Sequence, residues 1–226
     1  MSEAKIELSY WNIRGLVEPI KVLLEYLGLP YVLHSKTDFE QTLKEKAELI
    51  EKGFLFANLP YIKDGDFYLS ETVAIMQYVC QKAGRKDMYD SLEDSVRFAE
   101  LKGVLLDLKS GITTPMYVTA NKEDLKAKLL QAKDRLKSKI NGIAKLLSTK
   151  SFIFDRITFL DFYLVEVVEM ILDMEKELSL NILDSHRDVY VSYVAKMYSL
   201  PKVADYRKGP AFRARPYNVP TMASWF

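Results

Sequence analysis

From Ile6 to Tyr10 the chain alternates apolar and polar positions. Ile6, Leu8 and Tyr10 fall on one face and Glu7 and Ser9 on the other, the two-residue period of a strand. The period then changes. Ile20, Leu23, Leu24 and Leu27 recur at i, i+3, i+4 and i+7, a helical stripe. Pro19 fits only the first turn of that helix, and Gly28 and Pro30 stop it. "YVLHSKT" reads as a second strand, so the simplest unit is β-α-β with parallel strands. Residues 38–52 are polar and charged and predict a partly helical segment. "LPYIKDGDFYLSE" reads as two short strands about Asp64-Gly65, a tight-hairpin signal. "ETVAIMQYVCQKAG" reads as a helix ending at Gly84. Residues 1–84 therefore predict an α+β unit in the order β-α-β-α-β-β-α.

Residues 85–92 read as a linker. Beyond them, over 93–226, strand alternation gives way to helical periods. "EDSVRFAELKGVLLDLKSGITTPMY" predicts one long helix, with Gly103 or Gly111 as kink points and an end near Pro115. In the next segment Leu125, Leu129, Ala132, Leu136, Ile140, Ile143 and Leu147 form one stripe, and the many lysines opposite read as a solvated face. A buried helix is expected over about 159–173. Thr158 stands at its cap position with Asp161 three residues on, a capping-box variant. Two more helices are expected between about 186 and 207, broken by Pro201. The tail, 209–226, is rich in proline and aromatics and predicts irregular, packed chain. The second unit is all-helical.

Composition narrows the functions available. Thirty-two basic residues against 31 acidic ones leave a net charge of +1, so no basic field points to nucleic acid as a partner. No apolar run reaches the ~18 residues of a membrane span. The first residues lack a signal-peptide pattern, which gives a cytoplasmic expectation. The single cysteine, Cys80, excludes an internal disulfide and a CxxC redox pair, and it sits in an apolar helix as a small core residue. His34 and His186 lie far apart without ligand spacing, so no metal site is expected. Walker, GxGxxG and GxSxG patterns are absent.

Three stretches in the first unit could carry chemistry. Tyr10-Trp11 ends the first strand, where aromatics either pack or present their polar edge. Asn58-Leu59-Pro60 leads into the third strand, and an X-Pro bond there, if cis, would turn the backbone of Leu59 outward. Ser70-Glu71-Thr72 opens a helix, where a hydroxyl is ordinarily a cap and where helix N–H groups suit a carboxylate.

"YWNIRGL", "NLPYIKDG", "ETVAI" and "ITFLDF", with "RPYNVPTMASW" near the C-terminus, resemble the cytosolic glutathione transferases and most closely the mu class. The resemblance covers essentially the whole chain. It implies a thioredoxin-like first domain, an all-helical second domain and transfer of glutathione to hydrophobic electrophiles. Glutathione is then a co-substrate, and no cofactor is expected. Tyr10 matches the tyrosine that donates its hydroxyl to the glutathione sulfur. Trp11, Leu16, Asn58, Leu59 and Pro60 match positions around the peptide, and Glu71 and Thr72 match the pair that takes the γ-glutamyl end. Asp107 matches an acid that reaches the γ-glutamyl amine across a dimer interface. Ile13 and Tyr117 match the electrophile pocket. Phe56 matches an aromatic key inserted into the partner subunit, so the resemblance implies a homodimer.

A free thiol with a pKa of about 8.5 is only a few per cent thiolate at neutral pH. Lowering that value by two units takes about 2.7 kcal/mol. One hydrogen bond to a charged group supplies about 1.5–3 kcal/mol. One hydroxyl therefore suffices for most of the shift. The sequence departs from the mu class over 42–49, where the tryptophan and arginine that grip the glycine carboxylate are missing. A gapless match puts Glu45 and Leu49 at the tryptophan and lysine places, and a slide of one turn brings Lys46 to the lysine place, with Lys44 beside it. Non-catalytic carriage of hydrophobic compounds, or a structural role on the same fold, is the alternative, and this departure is its sequence support.

Overall fold

The computed structural model describes residues 5–89, 95–119 and 121–218. The end of the expected linker and the tail beyond 218 lie outside the described residues. The first unit is a mixed four-stranded sheet in the order β2-β1-β3-β4. Strand β1 (Ile6–Trp11) leads through helix α1 (Glu18–Leu27) to β2 (Tyr31–Lys36), and the two strands pair in parallel with Ile6 opposite Tyr31. Helix α2 (Phe39–Glu51) follows, started by Asp38, whose side chain accepts the Gln41 N–H at 2.9 Å. Strands β3 (Tyr61–Asp64) and β4 (Phe67–Ser70) form the expected hairpin, with Gly65 supplying the positive φ of the turn. β3 runs antiparallel to β1, with Leu8 opposite Ile62. The alternation read in the sequence is therefore the core face: Ile6, Leu8 and Ile62 are essentially inaccessible. Helix α3 (Thr72–Lys82) packs beside α1 and buries Ile75, Met76, Val79 and Cys80.

The second unit is helical throughout its described residues: α4 (Ser95–Val118), α5 (Lys122–Thr149), α6 (Phe159–Leu178), α7 (Arg187–Tyr198) and α8 (Pro201–Lys208). Helix α4 does not end near Pro115 but runs through it to Val118. Proline removes one N–H from the ladder, yet the buried stripe Leu105, Leu108, Ile112 and Met116 holds both sides of it in one helix. Gly111 is a contact point, not a stop: a Cβ there would lie 2.8 Å from the Leu136 side chain of α5. Helix α6 also outruns its expected end and reaches Leu178.

The two units meet through buried charge. Arg14, in the turn after β1, is 2% exposed and donates to both carboxylate oxygens of Glu166 on α6 at 2.8 Å each. It also donates to the Tyr217 hydroxyl at 3.2 Å, and its guanidinium lies over the Tyr217 and Phe212 rings. Glu18, at the start of α1, accepts from Lys21 at 2.9 Å and from the Tyr206 hydroxyl at 2.7 Å. A buried ion pair contributes little net stability, but deleting one partner costs about 3–5 kcal/mol. What this network fixes is the place of the β1–α1 turn against the helical unit.

Candidate active site

Tyr10 stands near the C-terminal end of β1 with its ring buried. Its hydroxyl oxygen accepts the Leu16 N–H at 2.9 Å. The chain makes this approach because Gly15 adopts φ +42, and a Cβ at Gly15 would lie 2.5 Å from the Tyr10 oxygen. Burial pushes the Tyr10 pKa well above its ordinary value, the Leu16 N–H opposes, and the neighbouring Tyr117 adds to the rise. Tyr10 is thus a neutral phenol whose oxygen is already an acceptor, and its one proton remains for donation. Ile13 is buried and Leu16 half-buried in the same turn. Tyr117, on the last turn of α4, is partly exposed, and burial raises its pKa as well.

A cavity of about 190 Å³ is lined by Trp11, the residue after Tyr10, and by Phe39, Lys46, Asn58, Leu59 and Tyr61, among others. Trp11 stacks on Phe39 with centroids 6.1 Å apart. Its floor is the turn into β3, where Leu59-Pro60 is cis and Pro60 is buried while Asn58 is exposed. On the α2 side Glu45 accepts from Lys36 at 2.6 Å and from the Tyr61 hydroxyl. Burial opposes ionisation of Glu45, but those two donors outweigh it and hold its carboxyl below the usual range. Lys46 is exposed on the same wall. At the start of α3, Glu71 adopts φ +71, a left-handed conformation that a glutamate rarely takes, and its side chain is exposed. Thr72 is buried and its hydroxyl donates to the Leu16 carbonyl at 3.2 Å, tying α3 to the Tyr10 turn.

Of the sequence-derived residues, Trp11, Lys46, Asn58 and Leu59 line this cavity, while Tyr10, Ile13, Leu16 and Thr72 belong to the end of β1, the turn after it and the helix start tied to that turn; two others lie apart. Asp107 is exposed on α4 and pairs with Lys139 of α5 at 3.1 Å. Phe56 is 80% exposed on the loop before β3, with Leu55 beside it. Neither lines the cavity. Four polar groups at the site escaped the sequence reading: Arg14, Lys36, Tyr61 and Lys109. Lys109 left a trace, since it occupies the i+4 place from Leu105 on the buried stripe of α4. It is buried and donates to the Gly15 carbonyl at 3.3 Å. Arg14, Lys36 and Tyr61 left none, because an isolated polar residue after or within a strand carries no period. The Asn218 amide, close after the Arg14-contacting Tyr217, is buried with neither atom hydrogen-bonded. Among the described residues no cluster of three or more His, Cys, Asp or Glu is arranged to hold a metal ion, and no helix is long and apolar enough to cross a membrane.

Residues 6–81 match the family description "Glutathione S-transferase, N-terminal domain", and residues 106–210 match "Glutathione S-transferase, C-terminal domain". The class-mu 26 kDa isozyme of Schistosoma mansoni is 32% identical over 80% of this chain and 88% of its own length. A glutathione S-transferase of Dermatophagoides pteronyssinus is 31% identical over 95% of this chain and 94% of its own. The class-mu 26 kDa isozyme 7 of Fasciola hepatica is 28% identical over 91% and 89%. Among solved structures, the glutathione S-transferase Blo t 8 superposes with a TM-score of 0.78 over 96% of this chain and 98% of that one, at 22% identity.

Proposed function

The chain belongs to the glutathione S-transferase family, and from that premise we propose that Tyr10 donates its hydroxyl proton to the glutathione sulfur and holds it as the thiolate. The observation that carries this reading is the Leu16 N–H on the Tyr10 oxygen at 2.9 Å. That bond uses a lone pair, leaves the proton for a thiolate, and makes it a stronger donor. The bound thiolate attacks the electrophilic carbon of an apolar compound beside Ile13 and Tyr117. With an aryl chloride, the C–S bond forms as the C–Cl bond breaks, chloride leaves, and the thiol proton has gone to solvent. Proximity in the cleft supplies much of the rate.

The lining of the cavity supports a reading for the rest of glutathione. The backbone of Leu59, beside Asn58 and cis Pro60, pairs with the cysteinyl unit, and Trp11 walls it. The N-terminus of α3, with Glu71 and Thr72, receives the γ-glutamyl end, assisted by Asp107 from a second copy. The glycine carboxylate goes to Lys46, with Lys36 behind it in the Glu45 pair. That pair fills the place of the missing tryptophan, which supports a weaker grip on this end of glutathione. Phe56 enters a second copy, giving a homodimer. No cofactor takes part, and the buried, reduced Cys80 suits a cytoplasmic site of action.

The test is Tyr10→Phe with a chloronitrobenzene-type substrate. Turnover falls by about one to three orders of magnitude, in line with loss of one donor to a developing or standing anion. Glutathione affinity changes little. Unchanged turnover would overturn the assignment of Tyr10, and a wild-type chain without turnover above the uncatalysed reaction would favour carriage without catalysis.

A further inference from the structure

The Gly15–Leu16 peptide is held at both ends. Its N–H donates to the Tyr10 oxygen at 2.9 Å, and its carbonyl accepts from Lys109 Nζ at 3.3 Å. These two groups belong to one planar amide in which nitrogen density flows toward the carbonyl oxygen. A cation on that oxygen draws more density and makes the N–H a better donor. A better donor on the Tyr10 oxygen in turn makes the Tyr10 proton a better donor to an anion, as in any chain of polarised hydrogen bonds.

We propose that Lys109 is a positioning residue that strengthens Tyr10 through the Gly15–Leu16 peptide, so that a charge on the helical domain helps set the thiolate held by the sheet domain. This inference rests on the assignment of Tyr10 as the sulfur's donor. Two observations support it beyond the two bonds. Lys109 is 6% exposed, so its charge is poorly screened by water. It lies over the Tyr163 ring, with Nζ 6.0 Å from the centroid, a contact suited to a cation. Burial disfavours the ammonium and prevails, Glu166 on α6 opposes it by favouring the charged form, and Arg14 in the β1–α1 turn adds to the burial, so the cation is held there at a cost. The cost of burying a lysine there is a reason to ask what it does, since a methionine would fill the apolar stripe without that cost. The adjoining Leu16 carbonyl is held by Thr72, so the turn has little room to swing away when Lys109 is changed. The effect of the substitution then falls on polarity more than on shape.

The experiment compares Lys109→Met, Tyr10→Phe and the double variant. The readout is the pKa of the bound glutathione thiol, from thiolate absorbance near 240 nm against pH, together with steady-state kinetics. Lys109→Met raises that pKa by about 0.5 unit, which lowers kcat/KM below the thiol pKa about threefold. KM for glutathione stays within about twofold, because the amide does not contact the peptide ends. In the Tyr10→Phe background the same substitution moves the pKa by nothing measurable. Thermal melting confirms that each variant is folded, and Lys109→Gln, which removes the charge and keeps a polar head, is read in the same way where Met is not accommodated. An unmoved thiol pKa in folded Lys109→Met overturns the proposal, and so does an equal shift in the Tyr10→Phe background. If Tyr10→Phe alone leaves the thiol pKa unchanged, it is the assignment of Tyr10 that fails.

Discussion

A methyl group added at Gly15 would lie 2.5 Å from the Tyr10 oxygen and 2.8 Å from its ring edge. The residue also sits at φ +42, where an L side chain costs about 1–2 kcal/mol. Gly15→Ala therefore swings the hydroxyl out of line, and a misplacement near 1 Å lowers turnover about 100-fold. Kinetics with a chloronitrobenzene substrate, beside a melting curve, check this; full turnover in the Gly15→Ala variant would mean that the Tyr10–Leu16 geometry does not matter. A second outcome follows from protonation. Burial disfavours the phenolate, so the Tyr10 pKa lies above its ordinary value and the proton stays on through the working range. The rate should climb with pH through the pKa of the bound thiol and then stay level to about pH 9. A falling alkaline limb below that point would show Tyr10 ionising. The places of both residues, a strand end and the turn before a helix, were legible in the local pattern, while the part given to Tyr10 came from the family resemblance. Lys36 and Tyr61 were not legible. Their pairing with Glu45 joins the end of β2 and the start of β3 to α2, and no window of sequence spans that contact.

Among the elements, the start of α6 was legible to the residue. Asp161 accepts the Thr158 N–H at 2.8 Å and the Thr158 hydroxyl at 2.9 Å, the N-cap arrangement read from "ITFLDF". Two further donors come from outside that window: the Ile153 N–H at 2.9 Å and the Tyr193 hydroxyl at 3.1 Å. The carboxylate thus ties the loop before α6, the helix itself and α7 in one buried point. The cap residue and its answering acid should then differ in cost. Thr158→Ala removes one polar contact and costs about 1 kcal/mol. Asp161→Ala strands several buried donors at about 1–3 kcal/mol each, so it costs about 3 kcal/mol or more. Denaturant unfolding of the two variants measures the gap, and equal losses would reduce Asp161 to an ordinary cap. Helix ends set by tertiary burial were less legible. Pro115 reads as a stop in isolation, and only the packing of Met116 beyond it carries α4 to Val118.

At the scale of the whole molecule, the described surface has two features that bear on the proposed homodimer. Phe56 and Leu55 are 80% and 69% exposed on the loop before β3, adjacent apolar side chains facing solvent. The Ser70 hydroxyl donates to the Phe56 carbonyl at 2.6 Å, which pins the loop while leaving the ring outward. Between α4 and α5 lies an open groove of about 600 Å³ whose apolar lining includes Leu101, Val104, Ile143, Leu146 and Phe154. A two-fold pair of such molecules would bury each Phe56 in the partner's groove, satisfying both surfaces at once. Only the family resemblance assigned Phe56 this part, since a lone phenylalanine in a loop has no period that separates exposed from buried. Burying one phenylalanine is worth about 1.5–3 kcal/mol, and symmetry doubles it to about 3–6 kcal/mol. Each 1.4 kcal/mol is tenfold, so Phe56→Ala should weaken dimerisation by about two to four orders of magnitude. Phe56→Glu should weaken it at least as much, because a charged chain cannot fill the apolar part of the groove that the ring would occupy. Sedimentation equilibrium over a dilution series measures the change. If Asp107 of the second copy completes the γ-glutamyl site, KM for glutathione should rise as the dimer dissociates while the isolated fold keeps its melting cooperativity. A wild-type chain that sediments as a monomer, or a Phe56→Glu dimer of unchanged strength, would remove the groove from the interface.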